Sequence, residues 1–257
     1  MTHTSLIHFF SCAFIKCSGG STFEHSELMD DARHDHAEGL RGTLAGHHHI
    51  WALKGNAEER GIADFHTAAT IRHPCSRFIS AFRYLNSDLC NGGDRAARAD
   101  FGIYDDQSVD EYVQYLEETK WAKVYLHFNP QYPWILNQNH TAVGVDNFLC
   151  NEQWDEGIHR IKSILGIEDM ETRRLFNHRG LGSTSDHVFQ NQHEKCQDLK
   201  PETREAIQRY YAMDYCLFGY DELPPEEDDV CIGTDNNAES MTKRFHECQE
   251  ELKKRGL

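Results

Sequence analysis

The chain has 257 residues, of which 39% are hydrophobic and 26% charged, and its formal net charge at pH 7 is −16. This length suits one α/β domain with a sizeable core. The acidic balance disfavours duplex nucleic acid and heavily sulfated glycans as partners, because binding either needs a basic surface. No apolar run approaches the roughly 18–20 residues that a membrane-spanning helix needs.

The first predicted element is a strand within the apolar stretch 6–15. A secretory signal would begin with basic residues, and this stretch runs straight into Lys16 instead. A candidate phosphate loop follows, and its possible ligands are Lys16, Cys17, Ser18, Gly19, Gly20, Ser21 and Thr22. Paired glycines let the backbone approach an anion, and hydroxyls at a helix start can donate to it. A plain turn between strand and helix is the alternative.

A run of three histidines, His47, His48 and His49, comes next. If the segment is a strand, His47 and His49 point to one face and His48 to the other. A histidine on such a face could act as a general base. Two alternatives stay open: a metal site, although alternate histidines supply only two ligands, and a polar surface strand.

A second candidate phosphate motif follows a strand predicted over 62–71. Arg72 leaves the strand end as a planar, permanently charged fork that suits phosphate. Pro74 opens an amphipathic helix predicted over 74–86, and Ser80 lies on its early turns near the positive helix end. An arginine with a purely structural role is the alternative.

The rest of the chain alternates between helices and strands. The predicted elements are a loop over 92–106, a helix that Ser108 begins, a strand over 142–149, a helix over 154–165, a helix from Pro201 to Tyr220, an acidic linker over 224–229 and a helix over 239–254. Such alternation predicts a parallel sheet with helices on both faces, and ligands then bind at the carboxyl ends of the strands.

The nine cysteines show no metal-ligand spacing such as C-x-x-C, so no metal site is expected. Their odd number implies a free thiol or an intermolecular bridge. Cys90, Cys150 and Cys196 could pair in an oxidising compartment. Asn139 begins a glycosylation sequon, Asn-His-Thr.

The two phosphate motifs together resemble those with which sulfotransferases bind 3′-phosphoadenosine-5′-phosphosulfate. In that family the first loop holds the 5′-phosphosulfate, and the Arg and Ser of the second motif hold the 3′-phosphate. His127-Phe-Asn-Pro-Gln131 resembles the Pro-Gln element of the membrane-associated carbohydrate sulfotransferases, and 201–220 resembles their C-terminal helix, which ends Tyr…Asp-Tyr…Phe-Gly-Tyr. The first loop departs from the family pattern: Ile15 replaces the usual Pro, and the loop is one residue longer. Which Gly lies under the phosphate, and whether Ser21 or Thr22 contacts it, stays open.

The resemblance implies an α/β, P-loop-like three-layer fold with a central parallel sheet flanked by helices. Residues 1–222 would form the sulfotransferase domain, and 223–257 an acidic linker with a C-terminal helix. The enzyme would move a sulfuryl group from the donor to a carbohydrate hydroxyl without a metal, with a glycan as partner. Family members of this type lie in the Golgi membrane or lumen; this chain shows no signal anchor, so a truncated or soluble form is expected.

The resemblance also assigns roles to residues. Lys16 would stabilise the transferring group. The histidine run resembles the His-Gly-His of uronyl 2-O-sulfotransferases, so His49 would be the base and His47 its assistant. Arg179 and Ser183 would lie in a loop that closes over the 3′-phosphate. The alternatives are a non-catalytic descendant that binds a nucleotide or glycan, and an atypical P-loop kinase, which the absence of G-K-[ST] disfavours.

Overall fold

The computed structural model describes residues 9–13, 49–59, 65–87, 90, 92–165, 195–222 and 237–257. These residues form a mostly helical protein with a small parallel sheet. The strands are β1 (Phe9–Ala13), β2 (Phe65–Ile71) and β3 (Asn147–Cys150). The helices are α1 (Ile50–Glu59), α2 (Pro74–Leu85), α3 (Gly92–Ala97), α4 (Val109–Glu118), α5 (Tyr132–Ile135), α6 (Trp154–Leu165), α7 (Pro201–Tyr210), α8 (Ala212–Phe218) and α9 (Ala238–Lys254). Short 3₁₀ turns lie at Arg98–Phe101, Leu126–Phe128 and Cys196–Asp198.

The chain divides into two compact units. The first comprises 1–71, 132–176 and 233–245, and the second comprises 72–131, 177–232 and 246–257. The proposed division at 222 and 223 stays a prediction. Among the described residues no helix is both long and apolar enough to cross a membrane.

The first unit contains the sheet, in the order β1-β2-β3, with all neighbours parallel. Residues 67–71 of the central strand β2 are all buried, as expected for a parallel strand covered on both faces. The strand predicted over 142–149 begins later, at Asn147. Residues 143 and 144, near the start of the predicted strand, pair with the preceding segment instead. Val143 forms an isolated β-bridge with Leu136, and the Gly144 N–H donates to the Ile135 carbonyl.

His49 does not lie in a strand, the condition under which it would share a face with His47, since helix α1 begins directly after it and the Ala52 N–H donates to the His49 carbonyl. The reason is the packing of Ile50, which is fully buried. A Cβ built on Gly144 would lie 3.0 Å from the Ile50 Cγ2, so a larger residue at 144 would crowd this contact. Helix α6 has the predicted bounds, and α9 begins one residue before the predicted Glu239.

The second unit is helical in its described part. Helix α4 starts where predicted: the Glu111 N–H donates to Ser108 Oγ and the Glu111 carboxylate accepts from the Ser108 N–H, a capping box that lowers the Glu111 pKa. The helix predicted to run from Pro201 to Tyr220 is broken at Tyr211 into α7 and α8. The loop predicted over 92–106 is wrong in its first half, where α3 forms.

Buried polar contacts explain α3. Asp94 is buried and accepts hydrogen bonds from the hydroxyls of Tyr84 and Tyr125, which holds the start of this helix against the unit. Arg95 and Arg98, at and after its end, donate to the carbonyls of preceding residues. These contacts outweigh the low helix propensity of Gly92 and Gly93.

Disulfide bonds join distant parts of the second unit. Cys75 is bonded to Cys196 and Cys216 to Cys248, whereas Cys90 is a buried free thiol. The suggested pairing of Cys196 with Cys90 or Cys150 is therefore wrong. Burial raises the pKa of the Cys90 thiol, with a further contribution from the charge of Asp94.

Candidate functional site

The described residues contain only part of the predicted site. Arg72, Ser80 and His49 are described, whereas Lys16, Cys17, Ser18, Gly19, Gly20, Ser21, Thr22, His47, Arg179 and Ser183 lie outside the described residues. Arg72 and Ser80 belong to the second unit and His49 to the first.

The peptide of Arg72 is held by the side chain of Gln131. The Arg72 N–H donates to Gln131 Oε1 at 3.0 Å, and Gln131 Nε2 donates to the Arg72 carbonyl at 2.8 Å. The amide thus satisfies both backbone groups of Arg72, as a neighbouring strand would do. Gln131 is fully buried. The backbone is therefore fixed at the residue whose guanidinium is the candidate phosphate ligand.

Gln131 is itself held by Asp214 of α8. Its N–H donates to Asp214 Oδ2 at 2.7 Å, and both residues are fully buried. A carboxyl oxygen accepts such a hydrogen bond at least as well as a backbone carbonyl does, and more strongly when it is ionised. We name the set Asp214, Gln131 and Arg72 the arginine clamp. It joins three segments that sequence analysis had noted separately.

The next residue, His73, is also fixed by the end of α8. Its ring is fully buried, and Nε2 donates to the Asp221 carbonyl at 3.0 Å. The rings of Tyr215 and Tyr220 meet it edge-on, with centroids at 5.4 and 5.1 Å. Gly219 ends α8 in the left-handed conformation (φ 68°), and the chain turns back so that the Tyr220 N–H donates to the Tyr215 carbonyl.

A buried arginine supports the turn that precedes Gln131. Arg77 is 1% exposed, donates to the Asn129 carbonyl and lies 5.8 Å from the centre of the Tyr211 ring. The Tyr211 hydroxyl donates to the Phe128 carbonyl, and burial raises its pKa well above the usual value, so it stays a neutral donor. Arg77 therefore has a structural role in the described part of the chain.

Helix α2 carries the second candidate phosphate ligand. Pro74 occupies its first turn, and Ser80 is half-buried, as Arg72 is. The Cys75–Cys196 disulfide fastens the same first turn to the 3₁₀ turn at Cys196–Asp198. A guanidinium fork and a hydroxyl are chemically suited to the oxygens of one phosphate.

His49 in the first unit lies among aromatic rings. Its Nδ1 donates to the Pro133 carbonyl at 3.0 Å, so Nε2 carries the lone pair in the neutral ring. The ring stacks with Trp134 at 4.5 Å between centroids (10° between planes) and with Trp51 at 5.9 Å (24°). His49 and Trp134 are partly exposed, and Trp51 is 38% exposed. We name these three residues the aromatic cluster; sequence analysis missed both tryptophans.

A second buried polar cluster lies in the second unit. Asp94 accepts from the hydroxyls of Tyr84 and Tyr125, and His127 Nε2 lies 3.2 Å from its Oδ2. Burial is the main cause that raises the pKa of the Tyr125 hydroxyl, and its hydrogen bond to Asp94 raises this pKa further. The cluster anchors the turn at Leu126–Phe128 to α3.

In the described ranges no group of three or more His, Cys, Asp or Glu side chains could hold a metal ion.

Comparison with known proteins identifies a family. A sequence model of the Sulfotransferase family matches residues 13–221, a span that includes the candidate phosphate loop, the arginine clamp and the aromatic cluster. No curated protein and no solved structure matches the chain significantly.

Proposed function

The chain belongs to the sulfotransferase family, and from this premise we propose that it transfers a sulfuryl group from 3′-phosphoadenosine-5′-phosphosulfate to a carbohydrate hydroxyl. The observation that carries the proposal is the arginine clamp. The buried Gln131 side chain bonds both backbone groups of the partly exposed Arg72, 59 residues away, and the buried Asp214 carboxyl in turn holds the Gln131 N–H. A position fixed in this way suits a ligand with one set place, such as the 3′-phosphate of the donor.

In this proposal Arg72 and Ser80 hold the 3′-phosphate, with Arg179 and Ser183 as further ligands. The loop at 16–22 holds the 5′-phosphosulfate, as the resemblance implies. The P-loop-like three-layer fold is part of the proposal, and the described sheet supplies three parallel strands of it.

Transfer needs a base and a stabilised leaving group. The acceptor hydroxyl oxygen bonds to sulfur while the bond from sulfur to the bridging phosphate oxygen breaks, and adenosine 3′,5′-bisphosphate leaves. His49 Nε2 takes the hydroxyl proton, with His47 assisting, because the bond from Nδ1 to Pro133 leaves Nε2 as acceptor. Lys16 neutralises the charge that develops on the bridging oxygen. No metal takes part in these steps.

The setting of the reaction is part of the same proposal. The acceptor is a glycan, and the resemblance implies the Golgi lumen or membrane as the compartment. The disulfides of the second unit agree with an oxidising compartment. Asn139 of the sequon is exposed and could carry a glycan there.

Calorimetric titration with adenosine 3′,5′-bisphosphate tests the donor site. We expect binding by the wild type, and Arg72→Ala should weaken it by about 2–3 kcal/mol, because a charge-assisted phosphate contact is lost. The matched control is Arg209→Ala, since Arg209 is half exposed and pairs with Glu117 rather than with a residue of the clamp. Its affinity should stay that of the wild type.

Other outcomes separate the alternatives. A folded wild type that binds no bisphosphate contradicts the donor site, and preference for ATP would indicate a kinase. Tight bisphosphate binding without sulfate transfer to any glycan would indicate a non-catalytic descendant.

If His49 is the base, His49→Ala should lower kcat by about 10²–10⁴-fold while bisphosphate affinity is kept. Full activity of His49→Ala would contradict its role.

A further inference from the structure

We infer that the aromatic cluster is a stacking platform for one neutral pyranose ring of the acceptor, with Trp51 and Trp134 as its sugar-binding residues. The inference rests on the proposed function and adds the place and the chemical class of the acceptor ring. It concerns residues of the first unit only, so all the contacts that carry it lie within one compact unit.

The first step concerns what the cluster can recognise. An indole presents a flat face with negative electrostatic potential, and it attracts the slightly positive C–H groups on one face of a sugar ring. Binding pockets for small molecules combine such apolar faces with a few placed polar groups. Trp51 supplies an exposed indole, and Trp134 lies nearly parallel to the imidazole of His49.

The second step concerns position. A pyranose that stacks by its C–H face directs its hydroxyls outward from the rim of the ring. In the same cluster, the hydrogen bond from His49 Nδ1 to Pro133 leaves Nε2 as the acceptor in the neutral ring. A stacked sugar would therefore bring a hydroxyl to a proton acceptor, which is the arrangement that sulfuryl transfer to a sugar requires.

The third step concerns rigidity. Ile50, between His49 and Trp51, is fully buried and packs on Gly144, which fixes the start of α1. Ile135 of α5 is fully buried and its carbonyl accepts from the Gly144 N–H at 2.7 Å, which fixes the helix that carries Trp134. The same glycine thus braces the backbone on both sides of the platform, so little backbone freedom is lost on binding.

Charge decides the kind of sugar. The chain has a formal net charge of −16, which repels a polyanionic glycan. The indole rings carry no charge and attract C–H groups without a counter-ion. The occupant to which we commit is therefore a neutral hexose or N-acetylhexosamine unit, and the uronate that the resemblance of the histidine run would imply is the competing outcome of the test.

Saturation-transfer NMR tests the platform without any donor or turnover. The probes are methyl β-galactopyranoside and methyl β-N-acetylglucosaminide at millimolar concentration, with methyl β-glucuronide as the charged comparison. The wild type should saturate the ring protons of at least one neutral probe and not those of the glucuronide. Trp51→Leu and Trp134→Leu should weaken this binding about three- to tenfold, and Trp51→Phe should retain most of it because an aromatic face remains.

Two controls keep the result interpretable. Trp121→Leu removes a tryptophan that stacks on Tyr210 in the second unit, and it should leave sugar binding unchanged. Bisphosphate titration of each variant should give the wild-type affinity, which shows that the protein is folded. The inference is wrong if the wild type binds neither neutral probe, if it prefers the glucuronide, or if Trp51→Leu and Trp134→Leu bind as the wild type does. Bisphosphate binding in those same samples would show that the donor site stands although the platform has failed.

Discussion

The two candidate ligand regions are built in opposite ways. Around Arg72 the contacts are hydrogen bonds from residues 59 or more positions away, and the clamp residues Gln131 and Asp214 that make them are fully buried. Around His49 the contacts are ring faces and one hydrogen bond, and the rings remain partly exposed. The difference fits the ligands that we propose. A phosphate of constant shape suits a fixed group, whereas a sugar ring is bound by shape and contact area.

The comparison predicts that substitutions around Arg72 cost stability, whereas those in the aromatic cluster cost mainly ligand affinity. The largest effect should come from replacing Cys75 and Cys196 together by serine. The disulfide closes a sequence separation of 121 residues, so its loss should lower the free energy of unfolding by about 4 kcal/mol. Urea unfolding under oxidising conditions measures it. Cys90→Ser is the matched control because Cys90 is a buried free thiol; an equal loss in both proteins would contradict the prediction.

The next largest effect should come from Asp214→Ala. It removes the acceptor of the buried Gln131 N–H, and we expect a loss of about 3 kcal/mol. Asp214→Asn keeps an oxygen at this position and should cost clearly less, as thermal or urea unfolding would show. If the two variants unfold alike, the hydrogen bond to Gln131 is not what Asp214 contributes.

Gln131→Leu should have a smaller effect on stability and a visible one on the ligand. The substitution keeps the volume but leaves the Arg72 N–H and carbonyl without their partner, at a cost of about 2 kcal/mol. The Arg72 side chain then loses its fixed origin, so the Kd of adenosine 3′,5′-bisphosphate should rise about tenfold. Gln131→Glu keeps the acceptor for the N–H but sets a second carboxyl oxygen against the Arg72 carbonyl in a fully buried place, so it should cost at least as much stability as Gln131→Leu. Unchanged affinity in Gln131→Leu would separate the clamp from nucleotide binding.

The smallest effect should come from the first unit. Asp146 Oδ2 accepts hydrogen bonds from the N–H and hydroxyl of Thr67 at the sheet, but its side chain is 38% exposed, so solvent can replace it. Asp146→Ala should cost about 1 kcal/mol by urea unfolding. Asp105→Ala, at an exposed partner of Arg98, serves as the reference near zero. A loss as large as that of Asp214→Ala would show that a partly exposed acceptor contributes as much to stability as a fully buried one, which the comparison denies.

Local patterns made α2, α4 and α6 predictable from the sequence. Each has an apolar face at helical spacing, and α2 and α4 also have a start signal in Pro74 and Ser108. Local patterns failed where a distant contact decides. The histidine run has no signal for the packing of Ile50 on Gly144, and the paired glycines at 92–93 conceal the buried contacts of Asp94.

The candidate site could be proposed from the sequence as a set of motifs but not as an arrangement. Arg72 and Ser80 stay predicted phosphate ligands, because a guanidinium and a hydroxyl have few better partners than phosphate. The role of Gln131 could not be recognised from the sequence, since its partners lie 59 and 83 residues away and only the fold brings them together. The same holds for Trp134, whose ring meets His49 across a separation that no short motif spans.

The bond between Cys216 and Cys248 has a practical consequence for anyone who produces this protein. Cys216 lies inside the span that matches the family, and Cys248 lies in α9, beyond it. A shortened chain that stopped at the family boundary would contain every motif discussed above, yet it would expose a new thiol on α8, two residues from Asp214. Recombinant work should therefore retain α9 and use an oxidising host compartment, and mass spectrometry of the intact protein can verify the bond before any assay.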